Sequence, residues 1–309
     1  MKAAAIVALL ASTGIVYSGQ APQFRSATAL VRLEVSVIDN GGAVQGLTSD
    51  DFAVSDGGAR QIVRVEESAD APLDLVVVAQ PLPSVEYTSV EQASRLTAGI
   101  SAFLDQVQDR DRLGALAAGA PPSRIRVLEP GRPTFGVDAF GQGRYAAPYD
   151  AIAAGLREFV ETNRRRALVA FTNAIDARST TSFEALTEMT RRLGPAFVLV
   201  GSPIMIKDQV RAGASESFRG RQIGDIAVGE VSGFVFPSSL QSLAKRTGGL
   251  TVNLGAGDPA KMIAEMFTWL RTTYLISYSP PAAKGWHPIS VKVNRRGAKV
   301  TVREGYFVD

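Results

Sequence analysis

"DLVVVAQPLPS", residues Asp74–Ser84, joins a run of apolar, mostly β-branched residues to a proline-rich turn. An apolar run without alternation reads as a strand buried on both faces, as in parallel sheets covered by helices. The loop beyond the carboxyl end of such a strand is where open α/β sheets place their ligands. Here that loop holds Gln80, Pro81, Leu82, Pro83 and Ser84, with no carboxylate and no histidine. The scaffold of a binding site is expected, without the charged chemistry that usually fills one.

Two more continuous apolar runs, Ala167–Phe171 and Ala196–Val200, repeat the pattern. Between and beyond them the apolar residues fall at helical spacing. Val90, Ala93, Leu96, Ile100, Phe103 and Val107 form one such stripe, and Tyr149, Ile152, Leu156 and Phe159 another. A third helix is expected from Ser238 to Arg246, stopped by Gly248-Gly249, and a fourth from Pro259 to Thr272. Residues 72–275 therefore predict an α/β domain, doubly wound around a mostly parallel sheet. Residues 203–237, rich in Gly, Ser and Arg, read as an insertion.

Both ends of the chain change period. In residues 27–70, Val31, Leu33, Val35 and Val37 alternate with Arg32, Glu34 and Ser36, the pattern of strands buried on one face. Turns are expected at Asp39–Gly42 and at Asp56-Gly57-Gly58, with a short helical turn started by Thr48 or Ser49. Residues 276–309 carry further short strands around Arg295-Arg296-Gly297. Neither end can bury a core alone. The expectation is one accessory β-sandwich built from the N- and C-terminal segments.

The 309 residues carry 33 basic and 30 acidic side chains, a formal charge of +3. That excess is too small and too scattered for a nucleic-acid partner. Lys2 followed by the apolar stretch Ala3–Val16 and small residues up to Ala21 reads as a signal peptide over residues 1–21. Export, to the periplasm or beyond the cell, follows, with no membrane span expected in the mature chain; a retained N-terminal anchor is the alternative. With no cysteine, disulfides, thiolate metal sites and cysteine nucleophiles are all excluded.

The segments "PLDLVVVAQPLPS", "AAPYDAIAAGL", "RRALVAFTNAIDARS", "LQSLAKRTGG" and "YLISYSPP…REGYF", in that order, resemble the landmarks of the von Willebrand factor A-type (VWFA) domain. More narrowly they resemble an exported bacterial VWFA-related family. The resemblance implies a metal-ion-dependent adhesion site: Asp-x-Ser-x-Ser after the first strand, then a Thr, then an Asp after the fourth strand. Carried over, those positions fall on Gln80, Leu82, Ser84, Ala146 and Asn173, so only Ser84 keeps its ligand type. Two neutral amides and one hydroxyl do not offset dehydration of a hard divalent cation. The site is expected to be degenerate, with no metal and no other cofactor. Asp150 and Asp176 lie near these loops, but read better as a helix-start charge and an ordinary loop residue.

No catalytic motif is present: no G-x-S-x-G, no H-E-x-x-H and no phosphate-cradling glycine loop. The one histidine, His287, is expected on the surface or at a strand edge. The sequence thus points to a non-enzymatic exported binding or scaffold protein. Gln80, Pro81, Pro83, Ser84, Tyr145, Asn173 and Asp176 are the candidates for contact with a protein partner. Self-association, an envelope-directed hydrolase and a rearranged metal site are the alternatives.

Overall fold

The computed structural model describes residues 30–39, 42–68, 71–82, 90–141, 145–159, 164–173, 176, 178–201, 204–205, 234–235, 238–279 and 283–308. The expected signal peptide, Pro83, Ser84 and most of the 203–237 insertion lie outside them.

The N-terminal block contains β1 (Val31–Asp39), β2 (Gly42–Ala43), β3 (Phe52–Asp56), β4 (Ala59–Arg60) and β5 (Arg64–Ser68). The central block follows with β6 (Leu73–Ala79), α1 (Val90–Gln106), β7 (Arg112–Ala117), β8 (Ser123–Pro130), α2 (Pro148–Leu156), β9 (Arg165–Phe171), α3 (Phe183–Leu193) and β10 (Ala196–Gly201). Then come β11 (Ile204–Met205) and β12 (Phe234–Val235), paired antiparallel at the two ends of the expected insertion. The chain finishes with α4 (Ser238–Arg246), β13 (Leu250–Asn253), α5 (Pro259–Arg271), β14 (Thr273–Tyr278), β15 (Gly285–Val293), β16 (Lys299–Thr301) and β17 (Gly305–Val308).

The central sheet has the order β13-β10-β9-β6-β7-β8, parallel except for the edge strand β8. β6 is buried along its whole length because both faces are covered. Leu75, Val77 and Ala79 pack with Leu96, Ile100 and Phe103 of α1 and with Ile263, Phe267 and Leu270 of α5. Val76 and Val78 pack on the other face with Ile152 and Leu156 of α2, Leu186 of α3 and Leu243 of α4. α4 stops where Gly248 takes a φ of +68°, a conformation that other residues adopt at a cost.

The terminal strands form two further sheets. One has the order β16-β1-β14-β5, with β2 beside β1; the other has the order β17-β15-β3-β4. They share one core, in which Leu33, Val35, Phe52, Val54, Tyr274 and Ile276 are buried. The alternating face of β1 is the buried one, as its period requires. β14 begins at Thr273, so the domain boundary expected at 275 falls inside a strand and the helical block ends with α5.

One expectation fails here. His287 is 7% exposed and sits inside the terminal sheets rather than on the surface. Its Nδ1 lies 2.9 Å from Asp56 Oδ1 and its Nε2 lies 2.8 Å from the Ala283 carbonyl. The sequence places His287 near a strand start; the antiparallel register, which sets Ile289 opposite Asp56, is what brings it to a buried carboxylate.

Candidate functional site

The carboxyl ends of β6, β7 and β9 lie side by side, and backbone hydrogen bonds continue past the strands. Gln80 N–H donates to Phe171 O at 3.0 Å, Ala118 N–H to Ala79 O at 2.7 Å and Thr172 N–H to Val200 O at 3.1 Å. The loop before α2 is pinned to the same edge: Gly119 and Ala146 form an isolated bridge, and Ala147 N–H donates to Ala118 O at 3.0 Å.

Gln80 is the centre of this arrangement. It is 1% exposed, and Thr172 and Asn173 beside it are buried as well. Its Oε1 accepts from the Thr172 hydroxyl at 3.0 Å and from the Asn173 N–H at 2.9 Å. The amide oxygen is thus occupied by two neutral donors and ties the end of β6 to the end of β9. A divalent cation at this position needs that oxygen free and needs anionic charge beside it. The residues around Gln80 do not fit such an ion: Leu82 and Ala146 bring no side-chain oxygen, and Asn173 is neutral. Gln80→Leu is expected to cost about 1–3 kcal/mol, because two buried donors lose their acceptor. Urea denaturation measures it, and an unchanged midpoint would contradict the role given to Oε1.

The burial of Gln80, Pro81 and Asn173 corrects their assignment as partner contacts. Their side chains fill the seam between strand ends and do not reach a surface. Tyr145 and Asp176 are half-buried and remain accessible in part. The Arg178 guanidinium lies 4.1 Å over the Tyr145 ring, a cation–π pair at the rim of the site.

The two carboxylates near these loops are engaged locally. Asp150, in the first turn of α2, accepts from Thr180 N–H at 2.9 Å and Thr181 N–H at 2.8 Å, while its own N–H donates to Ser179 Oγ at 3.0 Å. It therefore clamps the loop after β9 as well as favouring the helix dipole. Burial alone would raise its pKa, but these hydrogen bonds outweigh it and hold the carboxyl below the usual value. Asp176 Oδ1 accepts from Arg178 N–H at 3.2 Å and Ser179 N–H at 2.9 Å. Its Oδ2 is sealed from solvent without a hydrogen-bond partner among the described residues.

Nothing in the sequence pattern alone marks Thr180 or Thr181. The signal that could find Thr172 is the pair of amides at the ends of two apolar runs: buried amides demand partners, and the adjacent hydroxyl is the nearest one.

Geometry and topology define a class: an α/β protein whose central, mostly parallel sheet ends, among the described residues, in a seam tied by neutral hydrogen bonds around Gln80. No family model and no curated protein matches the chain. Among solved structures it is similar to an aerotolerance-related membrane protein from Bacteroides fragilis, with 15% identity, 63% of this chain and 98% of that one covered, and a TM-score of 0.41. It is also similar to the conserved hypothetical protein BatB from Bacteroides thetaiotaomicron, with 14% identity, 64% and 98% covered, and a TM-score of 0.40. A von Willebrand factor type A protein from Catenulispora acidiphila shows 10% identity, with 90% and 73% covered and a TM-score of 0.44. The class stands on this chain's own strand order and strand-end residues.

Proposed function

We propose that the protein is an exported, non-enzymatic VWFA-type binding or scaffold protein that engages a protein partner without a metal ion. In this reading the doubly wound α/β domain is the platform and the two chain ends close a β-sandwich beside it. The observation that carries it is the occupied Oε1 of Gln80, which fills with neutral hydrogen bonds the place where a carboxylate would hold a cation. Recognition then falls to the rim, where Tyr145 and Arg178 offer an aromatic face and a guanidinium, groups favoured at protein interfaces. Among the described residues no helix is long and apolar enough to cross a membrane.

A rearranged metal site has one observation in its favour, the unpartnered Asp176 Oδ2. Thermal melts with Mg²⁺, Ca²⁺, Mn²⁺ or EDTA separate the two readings. A specific ion present at 100 times its Kd adds about 2.7 kcal/mol of stability, a shift of several degrees in Tm for a chain of this size. The expected result is no shift, and a rise abolished by Asp176→Ala overturns the metal-free reading. A photo-crosslinking residue at position 145 is expected to give a discrete adduct in envelope preparations containing EDTA. The same residue at Val127, exposed on β8, serves as the control and is expected to give none. Equal labelling from both positions, or none from position 145, argues against an interaction surface at the rim.

A further inference from the structure

The opposite, amino-terminal edge of the central sheet carries a different chemistry. Where β9 begins, a cavity of about 110 Å³ opens between that edge and the terminal sheets. Its wall holds five arginines, Arg32, Arg164, Arg165, Arg166 and Arg303, against one carboxylate, Glu34. Arg165 Nε lies 3.1 Å from Glu34 Oε2, and Arg164 Nε lies 2.7 Å from Asp74 Oδ1. Among the described residues, no carboxylate lies within ion-pair distance of Arg166 or Arg303.

Arg303 is the sharper case. It stands just before β17, bridged through its backbone to Thr247. One guanidinium nitrogen donates to the Arg32 carbonyl at 3.2 Å, and the guanidinium lies 5.5 Å from the Tyr306 ring. Its Nε is sealed from solvent and meets no acceptor among the described residues. Burial pushes the guanidinium below the ordinary arginine value. The C-terminus of α3 offers it a partial negative charge nearby, but no carbonyl of that helix accepts from it among its hydrogen bonds. In the same seam Arg191 Nε likewise lacks an acceptor among the described residues, its guanidinium lying 3.8 Å over the Trp286 ring, whereas Arg246 pairs with Glu304 at 3.4 Å.

A buried donor without an acceptor is unfavourable, and like charges gathered in a partly enclosed space make it more so. Guanidinium groups facing a cavity match the geometry of a tetrahedral oxyanion, which accepts several charge-assisted hydrogen bonds at once. We propose that this cavity is a binding site for a phosphate or sulfate group, held by Arg166 and Arg303 with Arg32 at the rim. The site is independent of the strand-end cleft, since it lies at the other end of the same strands. The group can arrive as the free ion or as an ester on a small molecule.

Calorimetric titration of the full-length protein at low ionic strength tests this with inorganic phosphate, inorganic sulfate and glycerol phosphate in turn. Saturable binding of at least one is expected, weakened about tenfold or more by Arg166→Gln and by Arg303→Gln. Arg60→Gln, an exposed change on β4, is expected to bind as the parent does. Arg166 is half-buried and forms no ion pair with the described residues, so its variant remains informative even where Arg303→Gln fails to fold. Tighter binding of glycerol phosphate than of the free ions identifies an ester as the ligand; the reverse order identifies the free ion. Absence of saturable binding to all three overturns the proposal, as does equal affinity in the parent and Arg166→Gln.

Discussion

Asp56→Ala is expected to destabilise the protein by about 3–5 kcal/mol, the range for removing one side of a buried charged network. The Asp56 carboxylate is fully buried and accepts from Tyr278 OH at 2.9 Å, from Tyr306 OH at 2.6 Å and from His287 Nδ1 at 2.9 Å. These partners come from β14, β17 and β15, so a residue at the end of β3 holds both terminal sheets together. Without it, two buried phenols and His287 Nδ1 lose their shared partner, and the loss is a large share of the stability of a typical domain. Asp56→Asn keeps an acceptor oxygen and is expected to lose less.

The same cluster sets the response to alkali. Burial, and then the Asp56 carboxylate, push both the Tyr278 and the Tyr306 phenols above the ordinary tyrosine value. Their contribution is complete below the unfolded value, about pH 10, and falls as pH rises above it. The sign follows from proton counting: the unfolded chain releases protons that the folded chain keeps. Each tyrosine contributes a slope of up to about 1.4 kcal/mol per pH unit. Urea midpoints measured from pH 9 to about 11.5 should fall steeply above pH 10, and Tyr306→Phe should flatten the fall. A slope unchanged in both Tyr278→Phe and Tyr306→Phe would rule out this origin.

Much of the fold could be read from residue patterns, because burial leaves a period in the sequence. The alternation of Val31, Leu33, Val35 and Val37 marks one buried face, and those four side chains are buried. The stripe from Val90 predicts a helix whose observed span, Val90–Gln106, buries Leu96, Ile100 and Phe103. Other strands and one helix have weaker patterns. β7 reads RLGALA, where Gly and Ala dilute the apolar signal, and α3 carries Thr and Arg residues over a narrow buried stripe. Long-range pairing leaves no such period. The N-terminal hairpins belong to two different sheets, with β1 beside β14 and β3 beside β15. At the strand ends, Gln80 and Asn173 are legible as amides closing two apolar runs, but their hydrogen-bonded closure depends on the parallel register of β6 and β9. Registers of distant strands are set by the whole sheet and leave no local mark.

A second large effect is expected at Asp111, which the sequence does not distinguish from any other loop carboxylate. It is 0% exposed, and its two oxygens serve four donors. Oδ1 accepts from Leu73 N–H at 2.9 Å and from Arg271 at 3.2 Å; Oδ2 accepts from Gln108 N–H at 2.9 Å and from Arg271 at 2.6 Å. One side chain therefore fixes the start of β6, the turn after α1 and the end of α5. Asp111→Ala strands a nearly buried guanidinium and two backbone donors together, and is expected to cost about 3–5 kcal/mol. Arg271→Met should cost less, because the carboxylate keeps its two backbone N–H donors when the cation is gone. Adding Arg271→Met to Asp111→Ala removes the orphaned charge and should recover part of the loss, as buried pairs replaced by apolar groups often do. Recovery stays incomplete, since Leu73 and Gln108 still lack an acceptor. Urea denaturation of the two single variants and the double gives the order directly, and a double variant less stable than Asp111→Ala would refute this account of the ion pair.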